Sequence, residues 1–397
     1  MYKEMFNKTT QQMKIVYILK SFAMIAGTER VESDKMNYLA EHGFDVTLIT
    51  YEQSNHPLAF PLHESIRHIN IDACFYKLGQ YRLPMRLWRF LSMHRRFKKE
   101  LKKIMKELQP DIIVTSTYSM KLLKTILSVK GKAQTILESH VARFATEKAN
   151  DYRHHYLLKT IARIYDHWAF KHIKNFDLFV ALTQRDADEW RKFTSKTVVI
   201  PNPVTFYPDK IEQCNGKGKR IITVGRLDRQ KGYDILVKAY SLFIKHCPDW
   251  HLDIYGSGIE ERNLRNLITE HHLENHITIN APTRTIYEEY LNSDFYVLSS
   301  RYEGFPLVML EAMSCGLPCV AFDCMYGPSE VIEAGKNGLL AKNSNIEDLA
   351  AKMTWMAKHT DERVHMGREA RKRMAAYKKE NIMQLWLNTF SSIKAGE

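Results

Sequence analysis

The sequence predicts an α/β protein built from two doubly wound, Rossmann-like domains. Three observations carry this reading. Short runs rich in Val, Ile and Leu alternate with longer stretches of helical periodicity, the pattern of βαβ units and parallel sheets. The alternation breaks once, near 201–218, and then restarts. The chain has 397 residues, more than one ordinary core holds and comfortable for two.

The first half contains the runs KIVYIL (14–19), DVTLIT (45–50), DIIVTS (111–116), TILESH (135–140), DLFVALT (177–183) and TVVIP (197–201). Nearly continuous apolar runs of this length read as strands buried on both faces of a parallel sheet. The segment IPNPV (200–204), followed by NGKGK (215–219), interrupts them. The second half resumes with RIITVG (220–225), HLDIYG (251–256), HITIN (276–280), DFYVLSS (294–300) and PCVAFD (318–323). Helical stretches such as 232–246 and 258–272 lie between. The expected division is 1–200 and 201–379, with the amphipathic helix ENIMQLWLNTFSSI (380–393) in a tail, 380–397, that crosses back onto the first domain. Two such domains facing each other across a cleft bind ligand at the carboxyl ends of their strands.

Composition narrows the function. A formal charge of +13 calls for an anionic partner: nucleic acid, acidic lipid or a phosphorylated substrate. No apolar run approaches the roughly 18–20 residues of a membrane span. The chain opens with a polar stretch and a strand-length apolar run, so no secretory signal is read. Six cysteines in a chain this long do not make a disulfide scaffold. Cys315, Cys319 and Cys324 read as core thiols at a helix end and a strand, because their spacing fits no zinc pattern. A cytoplasmic protein with reduced thiols is expected.

Much of the charge lies in YRLPMRLWRFLSMHRRFKKELKKIMKEL (81–108), where Arg and Lys interleave with Leu, Met, Trp and Phe. Such a helix suits either an anionic leaflet or packing on the first sheet with a solvated basic face. The stretch 82–106 is therefore expected to contact an anionic membrane, with the protein peripheral on the inner face of the plasma membrane. No nucleic-acid motif accompanies it.

Candidate site residues sit where strands end. In ITVGRLDRQKG, Arg226 offers a bidentate fork and Lys231 a point charge to a diphosphate. Gly256 and Gly258 follow the next strand in a short, weak G-x-G. Gly27, after the first strand, leaves a backbone N–H open to a phosphate at a helix start. In RYEGFPLVMLEA (301–312), a helix is expected over about 306–313, with Pro306 in its first turn. Glu303 before that helix and Glu311 on it are placed to accept hydrogen bonds from sugar hydroxyls. Asp186 and Asp188 form a D-x-D, the pattern with which some transferases hold a metal, but they fall at a predicted helix start, where acids are favoured anyway.

The stretches AGTERV, VGRLDRQKGYDIL, IYGSG and EGFPLVMLEAMSCGLPCVAFD resemble the retaining glycosyltransferases of family four, which have the GT-B fold. The resemblance covers most of the chain and is densest from Gly225 to Leu340. It implies that Arg226 and Lys231 hold the donor's diphosphate, that Glu303 contacts the transferred sugar and that Glu311 holds the ribose. Gly304 and the backbone amides of Phe305, Leu307 and Val308 support sugar and phosphate, Pro282 and Thr283 lie by the base, and Gly27 completes the donor set. His140, ending a strand, approaches the donor sugar, so His140, Glu303, Arg226 and Lys231 are the implied catalytic group. One departure stands out: Ala26 replaces the first of two adjacent glycines usual before the x-E-R element.

The resemblance further implies transfer with retention by a front-face path, in which the leaving diphosphate helps deprotonate the acceptor hydroxyl. The nucleotide sugar, expected to be UDP-linked, is a substrate. No cofactor and no metal are expected. The basic helix suggests a lipid-linked saccharide acceptor, as in surface-polysaccharide assembly. Two other readings stand beside this one: a nucleotide-sugar epimerase, and a non-catalytic membrane or nucleic-acid binder on the same fold. Donor hydrolysis without acceptor separates them.

Overall fold

The computed structural model describes residues 13–24, 26–146, 156–209 and 218–395. They form two compact units. One runs through Ile200 and takes in Met383 onward, and the other spans Pro201–Ile382.

The first unit is a seven-stranded parallel sheet in the order β3-β2-β1-β4-β5-β6-β7. Its strands are β1 (Lys14–Leu19), β2 (Asp45–Thr50), β3 (Arg67–Asn70), β4 (Ile112–Ser116), β5 (Gln134–Glu138), β6 (Leu178–Ala181) and β7 (Thr197–Val199). The interior strands are buried along nearly their whole length and mostly apolar, as strands covered on both faces must be. In this unit β3, the polar RHIN, is the strand that the sequence reading did not expect. It is an edge strand paired on one side, to β2, so nothing requires it to be apolar. The pairing of β5 ends at Glu138, opposite Val180, so His140 lies in the turn after the strand rather than on it.

The basic helix spans Leu83–Leu108, with Pro84 in its first turn and the left-handed Gln109 (φ 47°) as its cap. Its two halves differ. Phe97, Leu101 and Met105, one helical turn apart, are buried with Val16, Ile18, Ile113 and Ile126. Met85, Leu87, Trp88 and Leu91 point to solvent, Trp88 at 62% exposure. Packing on the sheet accounts for the second half only.

The second unit is a six-stranded parallel sheet in the order β10-β9-β8-β11-β12-β13. The strands are β8 (Arg220–Val224), β9 (His251–Tyr255), β10 (Ile277–Asn280), β11 (Phe295–Leu298), β12 (Cys319–Phe322) and β13 (Gly338–Ala341). The core joins Ile221, Leu252, Val297 and Val320 of the sheet to Leu236, Tyr240 and Phe243 of the helix Tyr233–Phe243 and to Met353. Cys315, Cys319 and Cys324 are buried free thiols. In both sheets the order of successive strands reverses once, between β1 and β4 and between β8 and β11, all pairs being parallel. In doubly wound sheets ligands bind outside the strand ends at such a reversal.

The last helix, Lys379–Ala395, joins the first unit from Met383, where Trp386 and Phe390 are buried. Among the described residues no helix is long and apolar enough to cross a membrane.

Candidate active site

In the second unit the loops after β8 and β11 flank the reversal. Gly232 brings them together. It sits at φ +66°, and a Cβ there would lie 2.2 Å from the Ser299 carbonyl oxygen. The left-handed conformation and the close approach both require glycine. Just before it, Asp228 accepts a hydrogen bond from the Lys231 N–H (3.2 Å) and caps the turn 229–231.

Lys231 and Glu303 meet across the reversal, Nζ to Oε1 at 2.8 Å, with side chains 14% and 7% exposed. Ser300 Oγ donates to the same carboxylate oxygen at 2.6 Å. Arg226 is the opposite case. Its side chain is 67% exposed, reaching Asp228 (3.1 Å) and Gln230 (3.2 Å). The loop after β8 thus carries one enclosed cation, Lys231, and one solvated one, Arg226.

A second set of contacts stitches the two loops, and the sequence reading missed it. Arg301 makes a bidentate pair with Asp234 (2.8 and 2.6 Å) and donates to the Arg229 carbonyl (2.7 Å). Its N–H donates to the Gln230 carbonyl (2.8 Å). Gln230 Nε2 donates to Tyr302 O (3.2 Å), and Ser299 Oγ to Lys231 O (2.9 Å). Burial alone would raise the Asp234 carboxyl, but Arg301 outweighs it and holds the group below its usual range. Asp234 and Arg301 are far apart in sequence, and only the adjacency of β8 and β11 unites them. Arg301→Gln is expected to loosen the Lys231 loop, with the melting temperature lowered by a few degrees in a thermal melt.

The helix after Glu303 spans Leu307–Ser314. Pro306 is its N-cap and not a first-turn residue: its φ of −80° and ψ of 80° are non-helical, while its carbonyl accepts from the Met309 and Leu310 N–H groups. Met309, Leu310, Ala312 and Met313 are buried, whereas Leu307, Val308 and Glu311 share the half-buried opposite face. Glu311 is less enclosed than its neighbours in sequence suggested. The Tyr290 hydroxyl lies 3.4 Å from Glu311 Oε2 and 3.3 Å from the Val308 carbonyl, which sets the carboxylate's direction. The Leu307 N–H donates to Phe305 O at 3.0 Å, so this amide is engaged internally, contrary to the expectation that it supports a ligand. The N–H groups of Phe305 and Val308 have no acceptor among the described residues. Phe305 itself is buried against Tyr377, and Gly304 beside it is half-buried.

Pro282 and Thr283 are exposed on the loop after β10, where Thr283 Oγ1 accepts from the Thr285 N–H (3.2 Å).

The first unit places two of the expected residues. Gly27 is the exposed first residue of the helix Gly27–Glu41, whose N-cap, Ala26, contributes no capping side chain. His140 departs from expectation. Its ring is turned into the unit, Nε2 lying 2.8 Å from Glu32 Oε1, with both side chains almost fully buried. The partly exposed Tyr118 ring lies parallel to it at 6.4 Å.

The D-x-D resolves into two unrelated roles. Asp188 is a surface acid bonded to Gln184 and Arg191. Asp186 is buried in the helix Gln184–Trp190, accepting from Arg143 N (2.9 Å) and Trp190 Nε1 (3.0 Å). Burial pushes its carboxyl up to about 6 despite these donors. Because the folded value lies above the unfolded one, the protonated group adds stability that is full below the unfolded value and is lost as pH rises through about 6. Asp186→Asn is expected to flatten the stability–pH curve between about pH 4 and 7 by on the order of 2 kcal/mol in urea titrations.

Comparison with known proteins agrees with this geometry. Residues 25–206 match the Glycosyltransferase Family 4 domain, and 209–373 match the Glycosyl transferases group 1 domain. A glycosyltransferase of Haemophilus influenzae is 30% identical over 376 residues, covering 94% of this chain and 98% of its own. The amylovoran biosynthesis glycosyltransferase AmsD of Erwinia amylovora is 26% identical with the same coverage of each. Among solved structures, Anabaena HepE in complex with UDP and glucose superimposes with a TM-score of 0.72 at 18% identity, covering 96% of this chain and all of that one. The chain belongs to the group 1, family-four glycosyltransferases and has their GT-B fold.

Proposed function

We propose that this glycosyltransferase moves a hexosyl or N-acetylhexosaminyl group, with retention, from a UDP-sugar to a hydroxyl of a lipid-linked saccharide in surface-polysaccharide assembly. The observation that carries the reading is the Lys231–Glu303 pair at the sheet reversal, set directly before a helix start. The leaving group of a nucleotide sugar is a diphosphate, and charge grows on it as the glycosidic bond breaks. Lys231, Arg226 and the N–H groups at the helix start stabilise that charge where it develops. Glu303 accepts hydrogen bonds from the transferred sugar, and Glu311, directed by Tyr290, accepts from the ribose. Pro282 and Thr283 lie beside the base. The diphosphate oxygen that is freed takes the acceptor proton on the same face, which yields retention without a covalent sugar–enzyme bond. The first unit takes the acceptor.

The relatives support the donor and acceptor classes: HepE was solved with UDP and glucose, and AmsD is named for amylovoran biosynthesis. The exposed Met85, Leu87, Trp88 and Leu91, next to Arg82, Arg86 and Arg89, suit the interface of an anionic leaflet, which brings the enzyme to a lipid-borne acceptor. Thermal-shift screening of UDP-, GDP- and ADP-sugars tests the donor. A UDP-sugar is expected to raise the melting temperature selectively, and a shift by GDP- or ADP-sugars alone would overturn the nucleotide assignment. Sedimentation with phosphatidylglycerol-containing vesicles, lost in Trp88→Gln/Leu91→Gln, tests the membrane contact.

A further inference from the structure

The helix Tyr233–Phe243 starts two residues after Lys231, and its first side chain turns back to the strand end. Tyr233 is 2% exposed. A Cβ built on Gly225, at the carboxyl end of β8, would lie 2.8 Å from the Tyr233 hydroxyl and 3.0 Å from Lys231 Cε. Gly225 does not have a left-handed φ, so its backbone does not demand glycine. What demands it is room, because a methyl group there would crowd both the phenol and the lysine stem. The phenol, the Lys231 stem and the bare face of Gly225 therefore meet at one point. Arg226 is the next residue in the chain, and Glu303 is close enough for its charge to act on the phenol.

The Tyr233 hydroxyl is buried and has no hydrogen-bond partner among the described residues. The fully buried tyrosines of the same unit differ. Tyr240 donates to the Trp250 carbonyl (2.7 Å), Tyr296 to the Val224 carbonyl (3.3 Å) and Tyr290 to the Val308 carbonyl (3.3 Å). A buried hydroxyl left unpaired destabilises the fold, and phenylalanine would fill the same space without that penalty. Such a group calls for a partner that arrives later. Burial, with the Glu303 and Asp228 charges behind it, pushes the phenol above its usual range against the neighbouring Thr223 hydroxyl, so the proton stays on. The hydroxyl is thus a donor, and the groups nearest to it at the strand end are cationic. Two cations and a donor around one point fit an anion with several oxygens.

We propose that Tyr233 is a further donor-binding residue, whose hydroxyl donates to the diphosphate oxygen that Lys231 holds and reaches it across the bare face of Gly225. The inference deepens the transfer proposed above and rests on a diphosphate entering at this strand end. Gly225 gains a role with it: glycine keeps the line between phenol and phosphate open.

Tyr233→Phe tests this through two effects of opposite sign. Without ligand the variant is expected to melt about 2–4 °C above the wild type, because the unpaired hydroxyl is gone. In titration calorimetry it is expected to bind UDP about 10-fold more weakly, because the diphosphate loses a donor. Equal UDP affinity in the two proteins, or a ligand-free melting temperature that falls, would overturn the proposal. A second arm tests the path. In Gly225→Ala the methyl group stands between hydroxyl and anion, so adding Tyr233→Phe is expected to weaken UDP binding no further. A full additional 10-fold loss in that background would overturn the route across Gly225. If Gly225→Ala does not fold, Tyr233→Phe alone decides. The wild type is titrated with UDP, GDP and ADP in parallel. A wild type that takes GDP or ADP in place of UDP overturns the base assignment alone, and the loss in Tyr233→Phe is then expected with that nucleotide. A wild type that binds none of the three overturns both readings.

Discussion

Lys231→Met is expected to lower kcat by about 10²–10³-fold, the scale on which removal of one positioned transition-state donor acts. The argument rests on where the ammonium is held. Glu303 and Ser300 fix the carboxylate, the carboxylate fixes Nζ at 2.8 Å, and Ser299 fixes the Lys231 backbone from the other loop. A cation held this way is already in place when the leaving diphosphate gains charge, so little reorganisation is needed at the moment of reaction. Methionine keeps the stem and removes the charge. It also leaves Glu303 without its ion-pair partner, which costs on the order of 2 kcal/mol of stability for a pair this enclosed. Kinetics must therefore be read below the variant's melting temperature. Glu303→Gln gives the complementary result. It keeps a hydrogen-bond acceptor beside Ser300 but removes the charge that orients Lys231, so turnover falls while the fold is retained. Steady-state kinetics with donor in excess, paired with a thermal melt of each variant, checks both outcomes.

Arg226→Ala is expected to separate activity from stability more cleanly. The guanidinium is mostly solvated and, among the described residues, is bonded to Asp228 and Gln230, so its loss changes stability by less than about 0.5 kcal/mol. In the proposed transfer its role begins when a diphosphate arrives and offers two oxygens to its fork. An interaction that strengthens as charge develops lowers kcat and kcat/KM together, by about 10–10²-fold, with donor KM little changed. Unchanged turnover with only a raised KM would assign Arg226 to ground-state binding and contradict this role. Arg226→Lys is expected to recover part of the loss, because a point charge replaces the fork.

The fold was largely legible because interior parallel strands must be apolar on both faces, and runs such as KIVYIL and DFYVLSS have no other comfortable home. The edge strand β3 was not, because RHIN pairs on one side and carries no such requirement. Strand ends were read one or two residues long at His140 and Ser300, where sequence pattern does not mark the last ladder pair. At the site, Arg226, Lys231 and Glu303 stood out as charges just after strands, and Glu311 as a carboxylate in an otherwise apolar helix. Arg301 and Asp234 did not. Each is an ordinary surface charge until the neighbouring strands β8 and β11 bring them together. His140 was singled out by position, but the direction of its ring was not readable, because Glu32, which it faces, comes from a distant helix. The basic helix was ambiguous for a related reason. Its apolar residues form one stripe in sequence, and only packing shows that the first half leaves that stripe uncovered.

The central claim is that a nucleotide diphosphate is gripped between the basic loop after β8 and the helix start after β11. A crystal structure with UDP soaked in tests it most directly. The account predicts the diphosphate oxygens within hydrogen-bond distance of Lys231 Nζ and the Arg226 guanidinium, with the ribose hydroxyls on Glu311. Well-defined UDP bound elsewhere in the second unit, with Lys231 still paired only to Glu303, would contradict it.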